Sequence, residues 1–148
     1  MRKTILIASI FLFRGCLPAF GQGVYLGIGL GENTKSTTFA NLSVGIQNNF
    51  IGIEGRMLVP FIPVTNNEAT YFGGDLFGNV RLSQKTILSP LAGIYRGIIS
   101  NDKTSLNSTT YGYGLRLWVY PLEKRFFWIE GEYIQRQIIW SVNIGGIF

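Results

Sequence analysis

In five stretches of this chain the charged side chains keep to one parity, opposite a row of apolar side chains on the other. Glu54 and Arg56 alternate with Ile51, Ile53, Met57 and Val59. Asp75 and Arg81, with Asn79, oppose Phe72, Leu76, Val80 and Leu82. Arg96 opposes Leu91, Tyr95 and Ile99, and Arg116 opposes Tyr111, Tyr113, Leu115, Leu117 and Val119. Glu130, Glu132 and Arg136 oppose Phe127, Ile129 and Tyr133. Side chains of an extended strand alternate faces with period two, so each stretch reads as a strand with one apolar and one charged face. A charge turned toward lipid at mid-bilayer costs about 2–4 kcal/mol for Arg or Lys. The nine charges are therefore expected to point inward, as an Arg–carboxylate network filling an enclosed space. Arg suits this role because its planar fork binds carboxylates in pairs. Tyr25, Phe77, Trp118, Tyr120 and Trp128 fall on the same inward face and add bulk.

Extending the same reading gives eight strands, near residues 23–31, 39–48, 51–59, 70–82, 90–99, 108–120, 126–135 and 139–148. Most have the length that spans a bilayer as a tilted strand. The connections 49–50, 83–89 and 121–125 are expected as turns on one side, and 32–38, 60–69 and 100–107 as longer outer loops. The connection between strands 7 and 8 is expected near residues 136–138. Lys35, Lys85, Lys103 and Lys124 all fall in connections, where water solvates them. In lipid an unpaired backbone group costs several kcal/mol, so an open sheet edge cannot persist and the sheet must close on itself. The expected fold class is thus all-β, a closed eight-stranded antiparallel transmembrane up-and-down β-barrel. Gly27, Gly29, Gly52, Gly112 and Gly114 suit close packing inside a small barrel. Phe72, Tyr111, Tyr133 and Trp140 are expected toward the outer rim, and Phe127 and Phe148 toward the periplasmic rim, as interfacial girdles.

The first 21 residues read as a cleaved secretory leader. Arg2 and Lys3 are followed by an apolar run, and Ala19-Phe20-Gly21 supplies small residues at a cleavage site. Cleavage before Gln22 leaves a barrel domain of 127 residues, 22–148. Losing Arg2, Lys3 and Arg14 with the leader lowers the net charge from +5 to +2. Without a basic run, nucleic acid has no electrostatic support as a partner. Cys16, the single cysteine, leaves with the leader, so neither disulfide nor thiol chemistry is expected. Lipidation at Cys16 is disfavoured because Arg14 sits where a lipoprotein motif needs a small or apolar residue.

Trp140, Val142, Ile144, Gly146 and Phe148 share the outward face of the last strand. This apolar face with its terminal aromatic resembles the C-terminal assembly signal of bacterial outer-membrane barrels. Together with the eight segments, it makes the chain similar to the small barrels of the OmpA transmembrane-domain and OmpX type over nearly all of residues 23–148. The resemblance implies a Gram-negative outer-membrane location and recognition of Trp140, Val142, Ile144 and Phe148 by the assembly machinery. The chain is expected to depart from the OmpA pattern by stopping at the barrel without a periplasmic peptidoglycan-binding domain, and from OmpX by shorter loops.

Enzymatic chemistry finds little footing. The chain has no His, which removes Ser-His and Asp-His arrangements. Glu130 and Glu132 are spaced like paired carboxylates, but a filled lumen leaves no cleft for a sugar between them. They read as structural ion-pairing groups. With neither His nor thiol, no metal site or cofactor is expected. Gly27, Gly29 and Gly31 are followed by no helix, so they do not make a phosphate loop. Pro60, Phe61, Ile62, Pro63 and Val64 form an apolar stretch in a connection. It reads as a strand end at headgroup level, with docking of an envelope partner as the sharper reading. The expected function is that of a non-enzymatic outer-membrane barrel with an occluded lumen and a structural or surface-interaction role. The alternatives are a narrow channel for ions or small solutes, and a subunit of a secretion or adhesion complex.

Overall fold

Alternation decides the architecture strand by strand. In the computed structural model, which describes residues 23–62, 69–101 and 104–148, β1 (Gly23–Asn33) and β2 (Thr38–Gln47) turn every second side chain away from water. They are followed by β3 (Ile51–Ile62) and by β4 (Thr70–Gly78), which resumes after Asn79 as the pair Val80–Arg81. Next come β5 (Thr86–Asn101), β6 (Thr104–Leu122), β7 (Arg125–Ile134) and β8 (Gln137–Ile147). Each strand pairs antiparallel with its neighbours in sequence. β1 pairs with β8 through Tyr25↔Ile147 to Asn33↔Ile139, which closes the sheet. The result is a closed eight-stranded antiparallel β-barrel, with Gly23 and Phe148 at the same end.

The outside is apolar. Leu26 and Ile28 of β1, Val44 of β2, Ile53 of β3, Leu76 of β4, Ile94 of β5, Leu115 of β6, Ile129 of β7 and Val142 of β8 are all exposed. Soluble monomers rarely show contiguous apolar patches beyond a few hundred Å², so this surface is a lipid-facing belt. Among the described residues no helix is long and apolar enough to cross a membrane. Exposed Phe72, Tyr111 and Trp140 lie toward one rim, and Phe127, Phe148 and the turn residue Phe50 toward the other.

Inside, three layers stack along the barrel axis. Nearest the chain ends is an aromatic layer built by Tyr25, Phe77, Trp118, Tyr120, Phe126 and Trp128. At the far end is a second apolar layer that includes Phe39, Leu58, Tyr71, Tyr95 and Ile134. Between them lie buried charges. The order can be followed along single strands: Trp128, then Glu130 and Glu132, then Ile134 on β7; Phe77, Asp75, Tyr71 on β4.

The connections depart from the sequence reading. The β5–β6 hairpin stays paired from Thr86↔Val119 to Asn101↔Thr104, so most of the expected loop 100–107 is strand. β6 meets β7 only from Gly112↔Ile134 onward. On its β7 side the hairpin therefore runs roughly 25 Å past the last pair, whereas on its β4 side pairing continues to Thr70↔Ile98 and only about 10 Å extends beyond. The β7–β8 connection is the pair Gln135 and Arg136, with φ of 49° and 64°. Two consecutive left-handed residues make the tight turn whose twist matches a hairpin, which is why it is shorter than expected. Lys35, Lys85 and Lys124 lie exposed in turns. The expected leader, with Cys16, and the residues Pro63, Val64 and Lys103 lie outside the described residues.

Candidate functional site: a buried charge layer in the lumen

Six of the nine candidate charges meet in the middle layer. Glu54, Arg56, Asp75, Arg116, Glu130 and Glu132 are all at most 4% exposed. Their approach is set by register. Arg116 lies directly across from Glu130 in the β6–β7 pair, and Glu54 across from Asp75 in the β3–β4 pair. The first juxtaposition is attractive. The second sets like charges opposite each other, which is unfavourable unless cations bridge them.

Two guanidiniums do the bridging. Arg116 donates from Nε to Glu130 Oε2 at 2.8 Å and pairs through Nη2 with Glu54. Arg56 donates from Nη1 to Glu132 Oε2 at 2.5 Å, pairs with Glu130, and reaches Asp75 at 3.5 Å and Glu54 at 3.6 Å. Hydroxyl donors reach three of the four carboxylates. Tyr25 donates to Glu54 at 2.5 Å, Tyr95 to Asp75 at 2.6 Å and Ser141 to Glu130 at 2.7 Å. Arg116 also lies 5.2 Å from the ring centre of Phe77, 4.9 Å from that of Trp118 and 5.5 Å from that of Trp128. Its flat, weakly hydrated head can stack on these rings, which a Lys ammonium could not do as well. The layer holds four carboxylates and two guanidiniums, whereas the nine charges expected in it are five Arg and four carboxylates.

Three expected members are absent from it, each for its own reason. Arg96 is exposed, while Leu91 and Tyr95 on the same strand are 4% and 0% exposed. The parity of β5 is the reverse of the one expected. Tyr95 fills the hollows over Gly73 and Gly112, where an added Cβ would lie within 2.4 and 2.8 Å of its ring. Once its ring is inside, period two sends Arg96 out. Arg81 has the inward parity but the wrong depth. The strand breaks at Asn79, whose N–H donates to the Phe50 carbonyl at 2.8 Å, and Val80 and Arg81 beyond it are both exposed at the rim. Arg136 is exposed because the strand ends at Ile134, one residue earlier than expected, which places Arg136 in the two-residue turn.

Other participants carried no charge to mark them. Tyr95, Tyr25 and Ser141 act through hydroxyls. Asn41 donates to Asn143 at 2.7 Å, and Trp118 Nε1 donates to Ser89 at 2.9 Å, which donates on to Asn79 at 2.6 Å. Tyr71 donates to Gln135 at 2.6 Å and accepts from Gln137 at 3.1 Å, beneath the β7–β8 turn. The available signal was the small residues of β5, Gly93 and Gly97, which alternate with Tyr95 on the inner face. Among the described residues no group of His, Cys, Asp and Glu is arranged to hold a metal ion. On the outward face of β8, Trp140, Val142, Ile144 and Phe148 are all exposed, and Phe148 N–H donates to the Val24 carbonyl at 2.9 Å.

This closed barrel with a lipid-facing belt has the fold of the small eight-stranded outer-membrane proteins. The N-terminal β-barrel domain of Pseudomonas aeruginosa OprF superposes with a TM-score of 0.71 at 12% identity, covering 84% of this chain and 97% of that one. The Yersinia pestis outer-membrane protein Ail in a phospholipid nanodisc gives 0.57 at 18% identity, covering 86% and 99%. Neisserial surface protein A gives 0.54 at 10% identity, covering 84% and 94%. By sequence, the chain matches no family model and no curated protein.

Proposed function

We propose that this protein is a non-enzymatic barrel of the Gram-negative outer membrane, with a sealed lumen and a structural or surface-interaction role. The carrying observation is the three-layered interior. Trp118 and Trp128 are fully buried with ring centres 5.0 Å apart, and the charge layer above them is closed by direct side-chain contacts. An eight-stranded barrel is just wide enough for side chains to fill it. The shared fold of the outer-membrane barrels above supports the location. The β5–β6 hairpin, which runs past the wall, supports recognition at the surface and is placed outward in this reading.

Two measurements test it. Fractionation with heat-modifiable gel migration should place the protein in the outer membrane as a folded barrel; recovery as a soluble periplasmic protein would refute the location. Planar-bilayer recording of the purified protein should show no steady current. A large stable conductance would favour the channel instead.

A further inference from the structure

On the outer wall near the chain ends, β1, β7 and β8, with Pro121 of β6, border a shallow open hollow of about 540 Å³. Leu26, Ile28, Phe127 and Ile144 line it with exposed apolar side chains, and Arg125 stands at its edge. It exists because Gly146, directly across from Arg125 in the β7–β8 pair, puts no side chain on the lipid face. The turn beside it is held in place, with Ile147 N–H donating to the Lys124 carbonyl at 2.9 Å.

Charge at this rim is one-sided. Arg81, Lys85, Lys124 and Arg125 are exposed there, with Glu123 as the one acidic side chain among the described residues. Lys85 belongs to the adjoining turn, where its carbonyl accepts from Tyr120 N–H at 2.8 Å. An apolar hollow opening onto two adjacent cations at the end of a lipid-facing belt has the chemistry of a lipid with a negative headgroup. Interfacial Lys and Arg attract anionic lipids, while the hollow offers van der Waals contact to one acyl chain.

We propose that this hollow and its rim hold one anionic glycerophospholipid, its acyl chain over Gly146 and its headgroup phosphate at Lys124 and Arg125. The proposal rests on the membrane-barrel reading, so folding is scored first by heat-modifiable migration; a protein without that shift would undo the barrel reading itself. Folded protein is then passed through mixed micelles of phosphatidylglycerol and phosphatidylcholine with matched acyl chains, and retained lipid is read by native mass spectrometry. Wild type should retain phosphatidylglycerol over phosphatidylcholine by about 5-fold for each cation engaged. The double variant Lys124→Gln/Arg125→Gln, altered only at exposed positions, should bring the two lipids to parity.

Gly146→Leu should lower retention of both lipids by filling the hollow. A Cβ at Gly146 meets only the Lys124 carbonyl oxygen at 3.5 Å, an ordinary contact, so the barrel has room for the change. Should that variant misfold, Ile144→Trp narrows the same hollow from the lipid side and is read the same way. Equal retention of the two lipids by wild type, a preference that survives the charge variant, or retention indifferent to filling the hollow would each overturn the proposal. So would a dimer in wild type that Gly146→Leu disperses, because the occupant would then be a second copy.

Discussion

Arg116 is fully buried and is held by Glu54, Glu130 and three aromatic rings, whereas Arg96 lies in the open on the wall. The two residues look alike in the sequence, each an Arg in an otherwise apolar strand. They should respond oppositely to the same change. Arg116→Met leaves two buried carboxylates short of a partner and should destabilise the barrel by about 3–5 kcal/mol. Arg96→Met removes a charge from the lipid side and should leave stability unchanged or raise it by up to about 1 kcal/mol. Urea unfolding in lipid vesicles, followed by Trp fluorescence, measures both; equal losses would contradict the assigned faces. Most inward charges were legible because an isolated charge in an apolar strand has few alternatives to the lumen. Arg96 was not, because Leu91 and Tyr95 are as suited to a packed lumen as to lipid, and only the hollows over Gly73 and Gly112 decide between them.

At the level of the strands, glycine and aromatic residues fit together across the inner wall. A Cβ on Gly27 would lie 2.1 Å from the Trp128 ring, and one on Gly52 would lie 2.2 Å from the Phe77 ring. Outward Gly55 has no atom nearer than 3.9 Å. Gly27→Ala must therefore push the Trp128 ring out of its layer and should cost about 1–3 kcal/mol, as overpacking does. Gly55→Ala should be neutral or slightly stabilising, since it narrows the unfolded chain without a clash. The same unfolding assay separates them. The β7–β8 turn supplies a further test. Arg136 is exposed with φ of 64°, a conformation that costs an L residue about 1–2 kcal/mol. Arg136→Gly should therefore stabilise the barrel modestly, by about 0.5–1 kcal/mol after the added freedom of the unfolded chain is counted. Gln135 has a similar φ of 49°, but its side chain accepts from Tyr71, so it is the poorer choice. Strand number and pairing order followed from hydrophobic alternation. The long β5–β6 ladder did not, because Ser, Thr and Asn in residues 100–110 suit loops and solvated strands equally.

For the whole molecule, closure and filling are one problem. Pairing β1 with β8 removes every edge from lipid, but it also fixes a lumen that eight strands can fill only with side chains. The chain fills it three times over, with aromatic rings, then ion pairs, then a second apolar layer under the Tyr71 hydrogen bonds. In the proposed reading each layer closes the axis by itself. Removing one should therefore weaken the barrel without opening it. Trp128→Ala deletes a fully buried ring that packs on Trp118, Phe126 and Tyr25. It should cost about 3–5 kcal/mol in unfolding free energy. In planar bilayers the same variant should remain silent, because the Arg56 and Arg116 pairs still span the lumen. Steady current through Trp128→Ala would mean that the charge layer passes ions once the rings are gone. The ion pairs would then be a filter rather than a seal.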